Sequence, residues 1–123
     1  MRVLITGGTG YIGSNVASVL ADNHVPVVLY DNYENSYGPE VLDALEHLHR
    51  EPDAITLVHG DINDTLHLEN TLKQMGITHV VHCAGKKSVQ ESEQNPLAYY
   101  DTNVRGTLSL LQAMSAANVK NIV

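Results

Sequence analysis

The chain contains no tryptophan and no phenylalanine, and its whole aromatic content is six tyrosines in 123 residues. Its single cysteine, Cys83, excludes an internal disulfide. No run of 18 apolar residues and no basic-apolar leader occurs, so the sequence offers neither a membrane-spanning helix nor a secretory signal. Basic residues are scarce as well. Seven Lys and Arg face fourteen Asp and Glu, a net charge of -7 that repels phosphate polymers and anionic lipid and argues against nucleic acid or membrane as a partner. A reducing, cytoplasmic setting is the expectation.

What is present suffices for one core. Hydrophobic residues make up 43% and charged residues 17%, close to globular averages, and the length suits one domain. Val3-Leu4-Ile5 reads as a buried strand that runs at once into Gly7-Gly8-Thr9-Gly10. From Ile12 the apolar spacing changes to Ile12, Val16, Val19 and Leu20, the period of one helix face. Further strands are predicted over 25–30, 55–59 and 79–83, with a last one beginning at Lys120. Between them, Val41 to Leu48 and Leu66 to Met75 read as helices, the second closed by Gly76. Asn95-Pro96 signals the start of a long helix through Leu97, Val104, Leu108, Leu111 and Met114, weakened locally by Gly106. Strands alternating with helices imply parallel βαβ units, and hence an α/β, Rossmann-like, doubly wound sheet in the order 3-2-1-4-5.

The chemistry sits first in Gly7-Gly8-Thr9-Gly10-Tyr11-Ile12-Gly13. Glycines here leave room for a pyrophosphate to approach the backbone, while free N–H groups and the dipole at a helix start stabilise its charge. An acidic protein can bind phosphate in this way without a basic patch. The glycines follow a strand and open a helix, and Asp31 ends the next strand 18 residues after Gly13, near the spacing of about 20 expected of a ribose-binding acid. A carboxylate there accepts hydrogen bonds from ribose hydroxyls and repels a 2′-phosphate, which favours NAD over NADP.

Other candidates read two ways from position alone. Asp61 and Gly85 lie at strand ends, where ligands gather in parallel sheets but where turns and caps also form. Lys86 and Lys87 suit a pyrophosphate or a solvated surface pair. Metal binding is not expected: His79 and His82, three apart on a strand, face opposite sides. Cys83 reads as a buried small residue at the strand end, without a paired base, rather than as a nucleophile.

With these residues in view, the whole chain resembles the N-terminal part of the UDP-glucose 4-epimerase family, within the extended short-chain dehydrogenases/reductases. The likeness rests on Met1-Arg2-Val3-Leu4-Ile5-Thr6-Gly7-Gly8-Thr9-Gly10-Tyr11-Ile12-Gly13-Ser14, on Asp31-Asn32 with Asn35-Ser36, and on Gly60-Asp61-Ile62. It continues through His82, Ala84-Gly85, Lys87, Glu91-Ser92, Pro96-Leu97, Tyr99-Tyr100, Asn103-Val104 and Gly106-Thr107, and ends on Ala116-Ala117-Asn118-Val119-Lys120-Asn121.

The resemblance implies a tightly held NAD. Gly7, Gly10, Tyr11, Ile12 and Gly13 would lie at the pyrophosphate, and Asp31 on the adenosine ribose. Asn32, Asn35 and Ser36 would close the adenosine pocket, Asp61 and Ile62 would flank the adenine, and Cys83, Ala84, Gly85 and Lys87 would line the nicotinamide side. Cys83 stands where an aromatic is common. Thr102 stands where some members carry a cofactor-contacting Asn, which makes Asn103 the nearer framework residue.

The family's catalytic Ser or Thr and Tyr-x-x-x-Lys do not occur in these residues, so no catalytic residue is assigned. The expectation is that residues 1–123 form the N-terminal part of an NAD-binding domain, inactive alone, with the UDP-sugar met only by a longer parent. Two other readings stay open. One is a non-catalytic module that self-associates through an exposed sheet edge or helices, and the other is part of a sugar-nucleotide dehydratase or decarboxylase.

Overall fold

The computed structural model describes residues 1–49 and 54–123. Its sheet holds five parallel strands, β1 (Val3–Thr6), β2 (Val27–Asp31), β3 (Ile55–His59), β4 (His79–His82) and β5 (Asn121–Ile122), in the order β3-β2-β1-β4-β5. The helices are α1 (Tyr11–Asp22), α2 (Gly38–Leu48), α3 (Thr65–Gln74), α4 (Val89–Gln94), α5 (Pro96–Tyr100) and α6 (Gly106–Ala116), with a π-helical turn over Asp101–Arg105 between the last two. The predicted α/β fold and strand order are both found.

Alternation along the strands sorts the core into two layers, as the two-residue period of a strand requires. Val3, Ile5, Val27, Leu29 and Ile55 face α1 and α2, packing on Ala17, Ala21 and Leu45. Leu4, Val28, Tyr30 and Val80 face the other way, against Leu68, Leu72, Leu110, Ala113 and Met114 of α3 and α6. Both faces of the central strands are thus covered, which is why β1 and β2 read as continuous apolar runs.

Several local expectations are corrected. The second strand begins at Val27 and not at residue 25, because Pro26 has no N–H to give a ladder; only its carbonyl takes part, accepting from Val3 N–H at 3.1 Å. The buried stripe of α1 is Gly13, Ala17 and Ala21, whereas Ile12 and Val19 are exposed. Small residues win that face because the helix lies close over the sheet. The long helix after Asn95 is one path with a π turn in it, and its core face is Gly106, Ser109, Leu110, Ala113 and Met114. Leu97, Val104, Leu108 and Leu111 of the expected stripe stay exposed. Helix α4, capped by Ser88 through the N–H of Glu91, was not anticipated.

The turn from β1 into α1 depends on Gly7. Its φ is +62°, and a Cβ there would stand 2.7 Å from the backbone nitrogen and 2.8 Å from Cα of Ala84. Gly76 has the same φ of +62° with nothing within 4 Å of such a Cβ. The two glycines separate backbone strain from contact. Gly76→Ala should cost about 1 kcal/mol, the left-handed penalty alone, while Gly7→Ala should cost about 3 kcal/mol or more by adding overpacking. Urea unfolding of both variants checks this, and equal losses would contradict it.

Candidate functional site

The carboxyl ends of β1, β2 and β4 open onto one cavity of about 460 Å³, within the usual range of roughly 300–1,000 Å³ for small-molecule sites. Gly7, Gly10, Tyr11, Ile12 and Gly13 line it from the first turn, and Asp31, Asn32, Asn35 and Ser36 from the loop after β2. Ile62 follows β3, while Cys83, Ala84, Gly85 and Lys87 follow β4. Fourteen of the sixteen residues singled out from the sequence therefore meet in one place.

At the floor, Gly10 caps α1 with extended backbone and no side-chain hydrogen bond, and no acidic residue stands in the first helical turn. The first N–H groups of a helix have no partner within it, so this end presents donors and the positive end of the helix dipole. Gly13 sits against Gly7, whose carbonyl a Cβ would meet at 2.5 Å, and this contact presses the helix onto the turn. The Asp31 carboxylate is fixed from two sides: Thr9 N–H donates to Oδ2 at 3.0 Å and Tyr33 N–H to Oδ1 at 2.9 Å. Tyr33 has a φ of +62°, which folds the chain back over that carboxylate. Each oxygen keeps a further lone pair for a ligand hydroxyl. Thr9 and Ser36 share a hydroxyl hydrogen bond that ties the glycine turn to the β2 loop.

Asp61 and Asn103 do not line the cavity; they brace it. Asp61 accepts from Asn32 Nδ2 at 3.0 Å and from Asn63 N–H at 2.8 Å, the turn-forming alternative for this residue. Asn103 accepts from Lys86 N–H at 2.8 Å and donates Nδ2 to the Lys86 carbonyl at 2.9 Å. Burial raises the Cys83 thiol above its ordinary range. Among the described residues no group of three His, Cys, Asp or Glu could hold a metal ion, and no helix is long and apolar enough to cross a membrane.

Known proteins share the sequence pattern and the fold. Residues 4–123 match the family described as GDP-mannose 4,6 dehydratase. A UDP-glucose 4-epimerase from Klebsiella pneumoniae is 43% identical over 123 residues, which are all of this chain and 86% of that protein. The chain belongs to the UDP-glucose 4-epimerase family. A crystal structure of the epimerase from Stenotrophomonas maltophila, with bound NAD and formylated UDP-arabinopyranose, superposes with a TM-score of 0.94 at 36% identity, over 99% of this chain and 35% of that one. A dTDP-glucose 4,6-dehydratase from Streptomyces venezuelae, with NAD and TYD bound, follows at 0.85 and 32%, over 99% of this chain and 38% of that one. The chain thus spans little more than a third of the length of these two structures.

Also on this cavity are Tyr30, Glu34, Gly60, Ser88, Glu91 and Tyr99, to which the sequence assigned no role there, together with Lys86 and Thr102, whose roles it left open. Thr102 reaches it because the π turn widens the helix there and re-aims its side chains, a use to which single π turns are often put. Tyr99 is placed by its hydroxyl, which accepts from Ser88 N–H at 2.9 Å and donates to Glu91 at 3.2 Å. In the sequence Tyr99 stands out only through the family likeness and Thr102 only as a departure from it, while Ser88 before Glu91 is a capping-box spacing.

His82 links the loop after β4 to Asn103, one of the two braces. Ala84 N–H donates to Thr6 Oγ1 at 3.3 Å, Thr6 Oγ1 meets His82 Nδ1 at 2.6 Å, and His82 Nε2 meets Thr107 Oγ1 at 3.0 Å. Thr107 donates onward to the Asn103 carbonyl at 2.7 Å. Because Thr107 spends its proton on that carbonyl, it accepts from Nε2–H, and Nδ1 accepts from Thr6. The relay needs neutral imidazole, and burial lowers the His82 pKa from 6.5. A base whose pKa is lower in the folded state binds more protons when unfolded, so stability falls as pH drops from about 6.5 through the folded value. We expect the Tm of the wild type to fall between pH 7 and pH 5.5 and that of His82→Gln to fall less. Parallel melting curves for the two proteins would contradict the relay.

Proposed function

We propose that residues 1–123 are the NAD-binding part of a UDP-glucose 4-epimerase, which interconverts UDP-glucose and UDP-galactose. The observation that carries this reading is the uncapped start of α1 facing a cavity whose other wall holds the Asp31 carboxylate. The residues present fit a dinucleotide. A Cβ on Gly10 would meet only the Gly7 carbonyl, at 3.2 Å, which leaves a cradle on the open side for a close-lying pyrophosphate. Gly7 and Gly10 to Gly13 would hold the pyrophosphate and Asp31 the adenosine ribose, with Asn32, Asn35 and Ser36 closing the adenosine pocket and Ile62 beside the adenine. Cys83, Ala84, Gly85 and Lys87 would line the nicotinamide side. When bound, NAD supplies a reversible hydride acceptor for the sugar C4 hydrogen.

Proton transfer at the sugar belongs to residues other than these. None of Tyr11, Tyr30, Tyr33, Tyr37, Tyr99 or Tyr100 is followed four positions later by Lys. The purified 123-residue chain is therefore expected to give no UDP-glucose from UDP-galactose in a coupled assay, and measurable turnover would overturn that division of labour.

A second reading keeps the cofactor and changes the sugar chemistry to 4,6-dehydration, supported by the family match over residues 4–123 and by the Streptomyces structure. The segment from His82 to Tyr100, whose motifs resemble the epimerases, favours the first. The proposal also includes a cytoplasmic setting and pairing of two copies along the exposed Leu97, Tyr100, Val104 and Leu108.

The cofactor is tested by calorimetry. The wild type should bind NAD in preference to NADP. Asp31→Ala should weaken NAD about ten- to a hundredfold, the worth of hydrogen bonds to a charged group, and NADP much less. Equal losses for the two cofactors would remove Asp31 from the ribose.

A further inference from the structure

Glu34 and Lys86 form an ion pair across the cavity, with Lys86 Nζ 2.6 Å from Glu34 Oε1. The two residues are 52 apart in sequence and both line the cavity. Glu34 lies in the loop after β2 and Lys86 in the loop after β4, and these strands flank β1 on its two sides. The glycine turn leaves the carboxyl end of β1 between them. The pair therefore spans the crevice at the point where the strand order reverses, over the turn that would hold the pyrophosphate.

Its two ends are held more firmly than those of an ordinary surface pair. The backbone of Lys86 is gripped on both its N–H and its carbonyl by the Asn103 side chain. Glu34 N–H donates to Asn32 Oδ1 at 3.0 Å, and Asn32 in turn leans on Asp61. The Lys86 side chain is only 15% exposed, whereas that of Glu34 is 54% exposed, so the packed stem of Lys86 is the firmer end of the pair. Charge gives a second reason. Asp31, Glu34 and Glu91 all border the cavity, and a dinucleotide brings further negative charge into it. Pairing Glu34 with Lys86 removes the repulsion that an open carboxylate at the mouth would exert.

We propose that Glu34 and Lys86 are a clasp that closes over the bound dinucleotide and slows its release. The clasp rests on the dinucleotide reading above, and it assigns to two residues of this chain a role in retention rather than in recognition. Opening the pair is then required for the ligand to leave, so breaking it raises the dissociation rate with little change in which dinucleotide binds.

The test follows NADH fluorescence, first in a titration of the wild type and then in a stopped-flow chase with excess NAD. Glu34→Gln and Lys86→Met should each release NADH about three- to fivefold faster, the upper range for a pair that is partly exposed. The double variant Glu34→Lys with Lys86→Glu should return to within about twofold of the wild-type rate, because the reversed pair restores the bridge. Circular dichroism of each variant excludes misfolding as the cause. Wild-type binding with unchanged release in the single variants overturns the clasp alone. Slower release in Glu34→Gln overturns it too, since the carboxylate would then be a competitor of the phosphate. No NADH binding by the wild type overturns both the clasp and the reading beneath it.

Discussion

Gly7 lies against the backbone of Cys83 and Ala84 in a left-handed conformation, and most of the site depends on that contact. It lets the chain leave β1, turn within a few residues and start α1 directly over the carboxyl ends of β1 and β4. The helix start then points its N–H groups into the crevice, with no side chain of this protein to satisfy them. An acidic chain thereby presents backbone donors and the positive end of a helix dipole in the crevice, independent of its net charge of -7.

The contact also couples elements distant in sequence. Ala84, which limits Gly7 from the β4 side, donates to Thr6, and Thr6 begins the relay through His82 and Thr107 to Asn103. Asn103 holds Lys86, and Lys86 reaches Glu34 across the opening. One line of hydrogen bonds thus runs from the floor of the cavity round to its mouth. The π turn is part of the same design, because it places Thr102 on the cavity and Asn103 on the Lys86 loop from a single stretch of helix.

Much of the fold was legible because β1, β2 and β3 are short runs rich in β-branched and apolar residues that end at Gly or Asp, and because parallel βαβ units leave few topologies. The glycine turn and Asp31 were legible because their roles are carried by backbone freedom and by spacing along the chain. The rest depends on pairings with no local signal. Nothing along the chain shows that Asn32 donates to Asp61. The hold of Asn103 on Lys86 is likewise unmarked, and the Glu34–Lys86 bridge joins loops 52 residues apart. The helix faces were misread at Ile12, Val19 and Val104 because apolar spacing was counted while Ala and Gly were passed over, and small residues occupy the close-packed side. The same misreading hid the exposed stripe on α5 and α6.

The central claim is that the start of α1 receives a pyrophosphate while Asp31 receives the adenosine ribose. The most direct measurement is a titration of the ¹⁵N-labelled protein with NAD, followed by amide chemical shifts. The account predicts the largest shifts at Gly10, Tyr11, Ile12 and Gly13, with a second group at Asp31, Asn32 and Ile62, while amides of α2 and of the α3 C-terminus stay in place. Shifts confined to the exposed stripe from Leu97 to Leu108, or none at the glycine turn at saturating NAD, would contradict it.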